Sequence, residues 1–183
     1  QYAPDNSHLL DPFVGSGTSI VEGSLSSKIN KLYGFDLNPL AVLITKVKTT
    51  PLDPKLLEKT LLLILNKKSD KVINPVFKNI DFWFKKEVIL DLSKLKKSIN
   101  EIEDENIKNF FKIVFSETVR RVSNAKNGEF KLVRMKPEKL ANYNPDTFKE
   151  FEKIAKRNIT GMIDYFNNYR NKKSIYLDIK DCK

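Results

Sequence analysis

The chain has 183 residues, 40% of them hydrophobic and 31% charged, with a net charge of +10; this suits one soluble domain with a real core, or one domain plus a large insertion. The longest apolar run, residues 61–65 between Lys59 and Lys67, is far short of the roughly 18–20 residues that span a bilayer, which excludes a membrane-embedded class. One cysteine, Cys182, and one histidine, His8, exclude an internal disulfide framework and a Cys/His zinc site, and suit a reducing cytoplasm.

The chain opens on Gln1 with no charged-then-apolar leader, so it reads as an excerpt and no signal peptide is expected. Leu9 and Leu10 form a short apolar run that stops at Asp11-Pro12, where proline, with no N–H for a ladder, ends the strand. His8 is placed before that strand, in a packing or capping role. In Asp11-Pro12-Phe13-Val14-Gly15-Ser16-Gly17-Thr18 the two glycines permit tight or positive-φ backbone and close approach by a ligand. From Thr18, Ile20, Val21 and Leu25 mark one face of a short helix whose free N–H groups offer a site for an anion. Residues 32–37 predict the next strand, with Asp36 near its C-terminal end. In strand–turn–helix–strand nucleotide sites an acid about 20 residues on takes the ribose hydroxyls, so an adenosine-type ligand is expected. A P-loop is excluded: no Gly-Lys-Ser/Thr follows and no lysine lies between Asp11 and Ser27. The dinucleotide fingerprint lacks its third glycine, with Ile20 in that place.

After Asn38-Pro39, the stripe Leu40, Leu43, Ile44 and Val47 predicts a crossover helix. Asp53-Pro54 is a good helix start, and the leucine-rich helix to about Asn66 is expected to be largely buried. An irregular stretch, 69–81, leads to the aromatic cluster Phe82-Trp83-Phe84 and a helix over 85–102 with Val88, Ile89, Leu92, Leu95 and Ile99 on one face. Ile107, Phe110, Phe111, Val114, Phe115, Val119 and Val122 then hold helical spacing throughout and read as core. Residues 123–143 are polar and basic: Lys126, Lys131, Arg134 and Lys136 surround Phe130, just after Arg120 and Arg121. That composition suits a nucleic-acid groove and equally a solvated surface loop. A last long helix begins at Asn144-Pro145, with Phe148, Phe151, Ile154, Ala155, Ile159, Met162 and Phe166 facing inward, and Gly161 marks a kink or close crossing. Residues 174–179 predict the third strand, with Asp181 beyond its end.

The run Asp11–Thr18, followed by Gly34-Phe35-Asp36-Leu37-Asn38-Pro39-Leu40-Ala41-Val42, resembles the S-adenosylmethionine-binding motifs of DNA amino-methyltransferases, which modify the exocyclic amine of adenine or cytosine. The resemblance is specific over residues 8–50 and general beyond. It implies a Rossmann-like α/β methyltransferase core, present in part, carrying a large helical insertion. It implies that Asp11, Pro12, Phe13, Gly15, Ser16, Gly17 and Thr18 surround the methionine part of the cofactor. Asp36, with Leu37 and Asn38 beside it, would take the ribose, and Asp181 would meet the adenine ring, in preference to Asp178.

The family's catalytic tetrapeptide, a polar residue followed by Pro-Pro and an aromatic, has no counterpart here, because the sequence contains no Pro-Pro. The expected organisation is a cofactor module over 1–50, a basic helical insertion over 51–173, and a third core strand opening the catalytic half over 174–183. Residues 51–173 carry 27 basic and 17 acidic residues, the whole excess of positive charge, as a nucleic-acid enzyme requires; a lysine-rich solvated surface is the competing reading. The expected function is S-adenosylmethionine-dependent methylation of a base amine in DNA, of restriction-modification type, with Arg120, Arg121, Lys126, Lys131 and Arg134 on the nucleic acid. The catalytic motif would lie on a downstream segment or a partner chain. An RNA methyltransferase and a non-catalytic split subunit are the alternatives.

Overall fold

The computed structural model describes residues 3–67, 72–128, 131–169 and 173–181. Three strands, β1 (Ser7–Asp11), β2 (Ile29–Asp36) and β3 (Ser174–Ile179), pair in parallel in the order β1-β2-β3. Helix α1 (Thr18–Leu25) joins β1 to β2, and α2 (Pro39–Lys48) follows β2. Between α2 and β3 come α3 (Pro54–Asn66), α4 (Ile80–Trp83), α5 (Lys86–Asn100), α6 (Glu105–Val122), α7 (Pro137–Asn142) and α8 (Thr147–Asn168). The result is a mixed α/β fold in two compact units, one of residues 1–54 with 160–183 and one of residues 55–159.

In the first unit, the strand alternation sends Leu9, Leu32, Ile175 and Leu177 to one face, where they pack with Val14, Ile20 and Ile29. The register Leu9↔Leu32↔Ile175 runs that row straight across the sheet. Gly34 sits on the same face, and a Cβ there would lie 2.6 Å from Val14 Cγ1 and 2.7 Å from Leu177 Cδ2. Its bareness lets the turn after β1 settle onto the middle strand. The other face carries a ring ladder: His8–Tyr33 at 6.3 Å, Tyr33–Tyr176 at 6.4 Å and Phe35–Tyr176 at 5.9 Å between centroids. His8 therefore belongs to β1, paired with Lys31, and not to the segment before it.

The helix α2 also departs from expectation. Its buried residues are Ala41, Thr45 and Val47, while Leu40 stays exposed. The reason is close approach: a Cβ on Gly17 would come within 3.0 Å of the Thr45 Cα, so the small side chains face inward. Where α8 enters this unit, Tyr165 is buried and Phe166 is exposed, the reverse of the expected stripe. The Tyr165 hydroxyl lies 3.0 Å from Ser24 Oγ and donates to the Thr49 carbonyl at 3.3 Å, a role that a Phe cannot fill. A Cβ on Gly161 would meet nothing within 4 Å, so the expected close crossing is not there.

The second unit is helical. Helix α3 buries only Leu57, Leu61 and Ile64; Leu56, Leu62 and Leu63 are exposed, so it is one-sided rather than largely buried. Asp104 caps α6, accepting the Asn106 and Ile107 N–H groups at 2.9 Å. The α6 stripe is core as expected: Phe111 is fully buried, stacks on Phe151 at 6.2 Å and meets Phe110 edge-on at 5.3 Å. Val88, Leu92 and Val122 form a further cluster with Phe84, Phe115 and Val119. The polar stretch 123–143 is more structured than its composition suggests. It contains α7 and an antiparallel bridge Ala125↔Arg134, and both Asn124 and Ala125 are buried.

Candidate functional site

The turn after β1 is built from its own backbone. Asp11 accepts the Phe13 N–H at 3.1 Å, Val14 N–H donates to the Phe35 carbonyl at 2.9 Å, and Gly17 N–H donates to the Val14 carbonyl at 2.7 Å. Gly15 has φ +48° and Gly17 φ +80°, left-handed values that favour glycine. Gly17 is also the N-cap of α1 and supplies no side chain, so the first-turn N–H groups of α1 carry no side-chain cap. Ser16 Oγ and Thr18 Oγ1 lie 3.2 Å apart at the same end.

Asp36 ties this turn to the next one. Its Oδ2 accepts the Gly15 N–H and its Oδ1 the Asn38 N–H, both at 2.9 Å. These bonds, that from Asn38 first and that from Gly15 next, hold its carboxyl below the usual carboxylate range. Asn38 caps α2 by accepting the Leu40 N–H at 3.0 Å. Phe13 and Leu37 are 76% and 68% exposed, leaving two apolar side chains free beside the acid. The end of β3 reaches the same edge: Lys180 N–H donates to the Asp36 carbonyl at 3.2 Å, and the exposed Asp181 follows directly. Asp178 is engaged within its own strand, by Tyr176 Oη at 3.1 Å and by its Ile179 neighbour's N–H at 2.9 Å.

The residues named from sequence for the cofactor, Asp11, Pro12, Phe13, Gly15, Ser16, Gly17, Thr18, Asp36, Leu37, Asn38 and Asp181, all lie in the first unit. One residue was missed. Lys48, in the last turn of α2, donates to the Ser16 carbonyl at 2.7 Å, bringing a cation to a turn with no lysine of its own. No local motif signals a partner 32 residues away.

The five basic residues lie in the second unit. Arg120 and Arg121 are on the last turn of α6, and Arg121 Nη2 stands 3.6 Å from Glu117. Glu117 also takes a two-bond fork from Arg157, at 3.0 and 2.6 Å, which is the main reason its pKa is lowered. Lys126 and Lys131 are exposed on the segment after α6. Arg134 is anchored, its Nε donating to the Phe82 carbonyl at 3.0 Å and its guanidinium carbon 4.3 Å from the Phe82 ring centre. Phe130 and Cys182 lie outside the described residues.

No protein-family model and no solved structure matches the chain. In an alignment 182 positions long that covers 93% of its length, the chain is 43% identical to Type II methyltransferase M.MvaI of Kocuria varians. It is similar to a segment of a Type II methyltransferase. Type II methyltransferase M.MjaII of Methanocaldococcus jannaschii is 29% identical in an alignment 184 positions long that covers 96% of the chain. The matched stretch is 40% of the first relative's length and 31% of the second's, so the chain spans less than half of each. Among the described residues no helix is long and apolar enough to cross a membrane.

Proposed function

We propose that this chain forms the cofactor-binding half of an S-adenosylmethionine-dependent DNA methyltransferase of restriction-modification type that modifies an exocyclic base amine. Its first unit supplies part of a Rossmann-like core, and the segment 51–173 is the insertion that meets DNA. The observation that carries this is the Asp36 clasp. One exposed carboxylate joins the glycine turn after β1 to the cap of α2, at the edge where β3 also ends.

The residues present fit the cofactor. Each Asp36 oxygen accepts one backbone N–H and keeps acceptor capacity for a ribose hydroxyl. The space around Gly15 is open, with only the Phe13 carbonyl at 3.9 Å from where a Cβ would stand, so a ligand can approach the backbone. Phe13 and Leu37 offer apolar contact, and Asp181 an acceptor for the adenine amine. Lys48 holds the Ser16 peptide in place. When bound, S-adenosylmethionine supplies an electrophilic methyl group, and what the protein adds is position. The likeness to M.MvaI over 93% of the chain supports methyl transfer, and the motif resemblance supports a base amine in DNA.

The amine must shed a proton as it attacks, and in the resembling family a polar group and a proline carbonyl of the Pro-Pro tetrapeptide accept the amine's hydrogen bonds and draw off its developing positive charge. With no Pro-Pro in the sequence, the chain orients one reactant only. A labelled-methyl assay tests this: residues 1–183 alone transfer nothing to DNA, and adding the segment or subunit that bears the tetrapeptide restores transfer. Clear transfer by the isolated chain would show that its own side chains complete the reaction.

A further inference from the structure

Helix α2 backs the glycine turn at two points along one side. Thr45 is fully buried, and a Cβ on Gly17 would lie 2.6 Å from its Oγ1. Three residues on, and so on the same face of the helix, Lys48 donates from Nζ to the Ser16 carbonyl at 2.7 Å. A lysine in the last turn of a helix is ordinary by itself, because the dipole favours a cation there and the last carbonyls offer it acceptors. Lys48 instead reaches out of its own helix to a carbonyl 32 residues earlier.

That carbonyl belongs to the part of the turn with the most backbone freedom. Ser16 stands between Gly15 at φ +48° and Gly17 at φ +80°, and glycine is the least restricted residue. The peptide planes before it are fixed from β2: the Val14 N–H by the Phe35 carbonyl and the Gly15 N–H by the Asp36 carboxylate. The Ser16–Gly17 plane is held within the turn by the Gly17 N–H on the Val14 carbonyl at 2.7 Å, and from outside by Lys48. We propose that Lys48 is a positioning residue for the amino-acid half of the cofactor. By holding the Ser16 carbonyl it sets the turn before the ligand arrives, so that binding does not carry the cost of ordering two glycines. The inference rests on the cofactor reading proposed above and divides that site in two. Asp36 serves the ribose, and Lys48, acting through Ser16, serves the methionine part.

The test is calorimetric titration of the full chain, as wild type, Lys48→Met and Lys48→Gln, with two ligands. One is S-adenosylhomocysteine; the other is methylthioadenosine, which keeps the nucleoside and the sulfur but lacks the amino-acid end. Both variants bind S-adenosylhomocysteine roughly five- to tenfold more weakly than wild type and methylthioadenosine within about twofold of it. In the ligand-free variants the Gly17 amide hydrogen exchanges several-fold faster, because its peptide plane has lost the outside tether. If the wild type binds neither ligand, the cofactor reading and this inference fall together. If it binds S-adenosylhomocysteine and both variants keep its affinity, this inference alone falls. An equal loss for both ligands also overturns it, since Lys48 would then support the unit as a whole. Unchanged Gly17 exchange beside a loss of S-adenosylhomocysteine affinity overturns the route through Ser16. Lys48 is exposed, so neither variant removes a packing group, and Lys48→Gln gives the answer if Lys48→Met does not fold.

Discussion

The Asp36 carboxylate accepts the Gly15 N–H at 2.9 Å across 21 residues of sequence, and its second oxygen accepts the Asn38 N–H at the same distance. The acid at the end of β2 is therefore a brace for the glycine turn, besides the ribose role proposed for it. Those N–H bonds depress its pKa. A depressed carboxylate contributes stability that is present above its unfolded value, about 3.9, and lost as pH falls through its lower folded value. The Gly15 amide resonance should hold steady from neutral pH down to about 4 and move only below that. A midpoint at or above the ordinary carboxylate value would show that the brace does not form.

The two glycines at opposite extremes of crowding should respond in opposite senses. Gly17→Ala puts a Cβ at φ +80°, 2.6 Å from Thr45 Oγ1 and 3.0 Å from its Cα, and should cost about 1–3 kcal/mol. Gly161→Ala meets nothing within 4 Å inside α8 and should stabilise by about 0.5–1 kcal/mol. Urea unfolding measures both, and a Gly17→Ala chain as stable as wild type would contradict the close packing of the turn on α2.

The glycine turn, the strand-end acid and the third strand were legible because each has a local signature: Pro12 stops a ladder, Asn38-Pro39 starts a helix, and 174–179 is a short apolar alternation. Core stripes on α5 and α6 were legible for the same reason, since each is long enough for the 3.6-residue period to stand out. What was not legible depends on distance in sequence. Periodicity favoured Leu40 and Leu43 over Ala41 and Thr45, because it ranks hydrophobicity and cannot see that Gly17 comes close. It chose Phe166 over Tyr165, because it cannot see Ser24 and Thr49 waiting for a hydroxyl. Lys48 was invisible beside the glycine turn, a surface lysine until the fold gives it the Ser16 carbonyl.

Tyr165 provides a pH test in the other direction. Burial pushes its hydroxyl up to about 12, so its contribution is complete below the unfolded value of about 10 and is lost as pH rises toward 12. Tyr165→Phe should cost about 1 kcal/mol at neutral pH and should soften the alkaline loss of stability. Identical alkaline unfolding curves for the two proteins would remove Tyr165 from that role.

The basic residues named from sequence differ in what they can give to DNA. Arg121 is shared with Glu117 and Arg134 with Phe82, whereas Lys131 is exposed. Neutralising Arg120, Arg121, Lys126, Lys131 and Arg134 together should flatten the salt dependence of duplex binding by about 3–4 units, less than five free cations would give at roughly 0.9 each. An unchanged slope would return all five to the solvated surface.

Whether the clasped glycine turn holds S-adenosylmethionine is decided by calorimetric titration with S-adenosylhomocysteine. Measurable binding to residues 1–183 is expected, with a loss of roughly ten- to a hundredfold on Asp36→Ala as charge-assisted bonds to the ribose disappear. Equal affinity of the two proteins, or no binding by a folded wild-type chain, would contradict it.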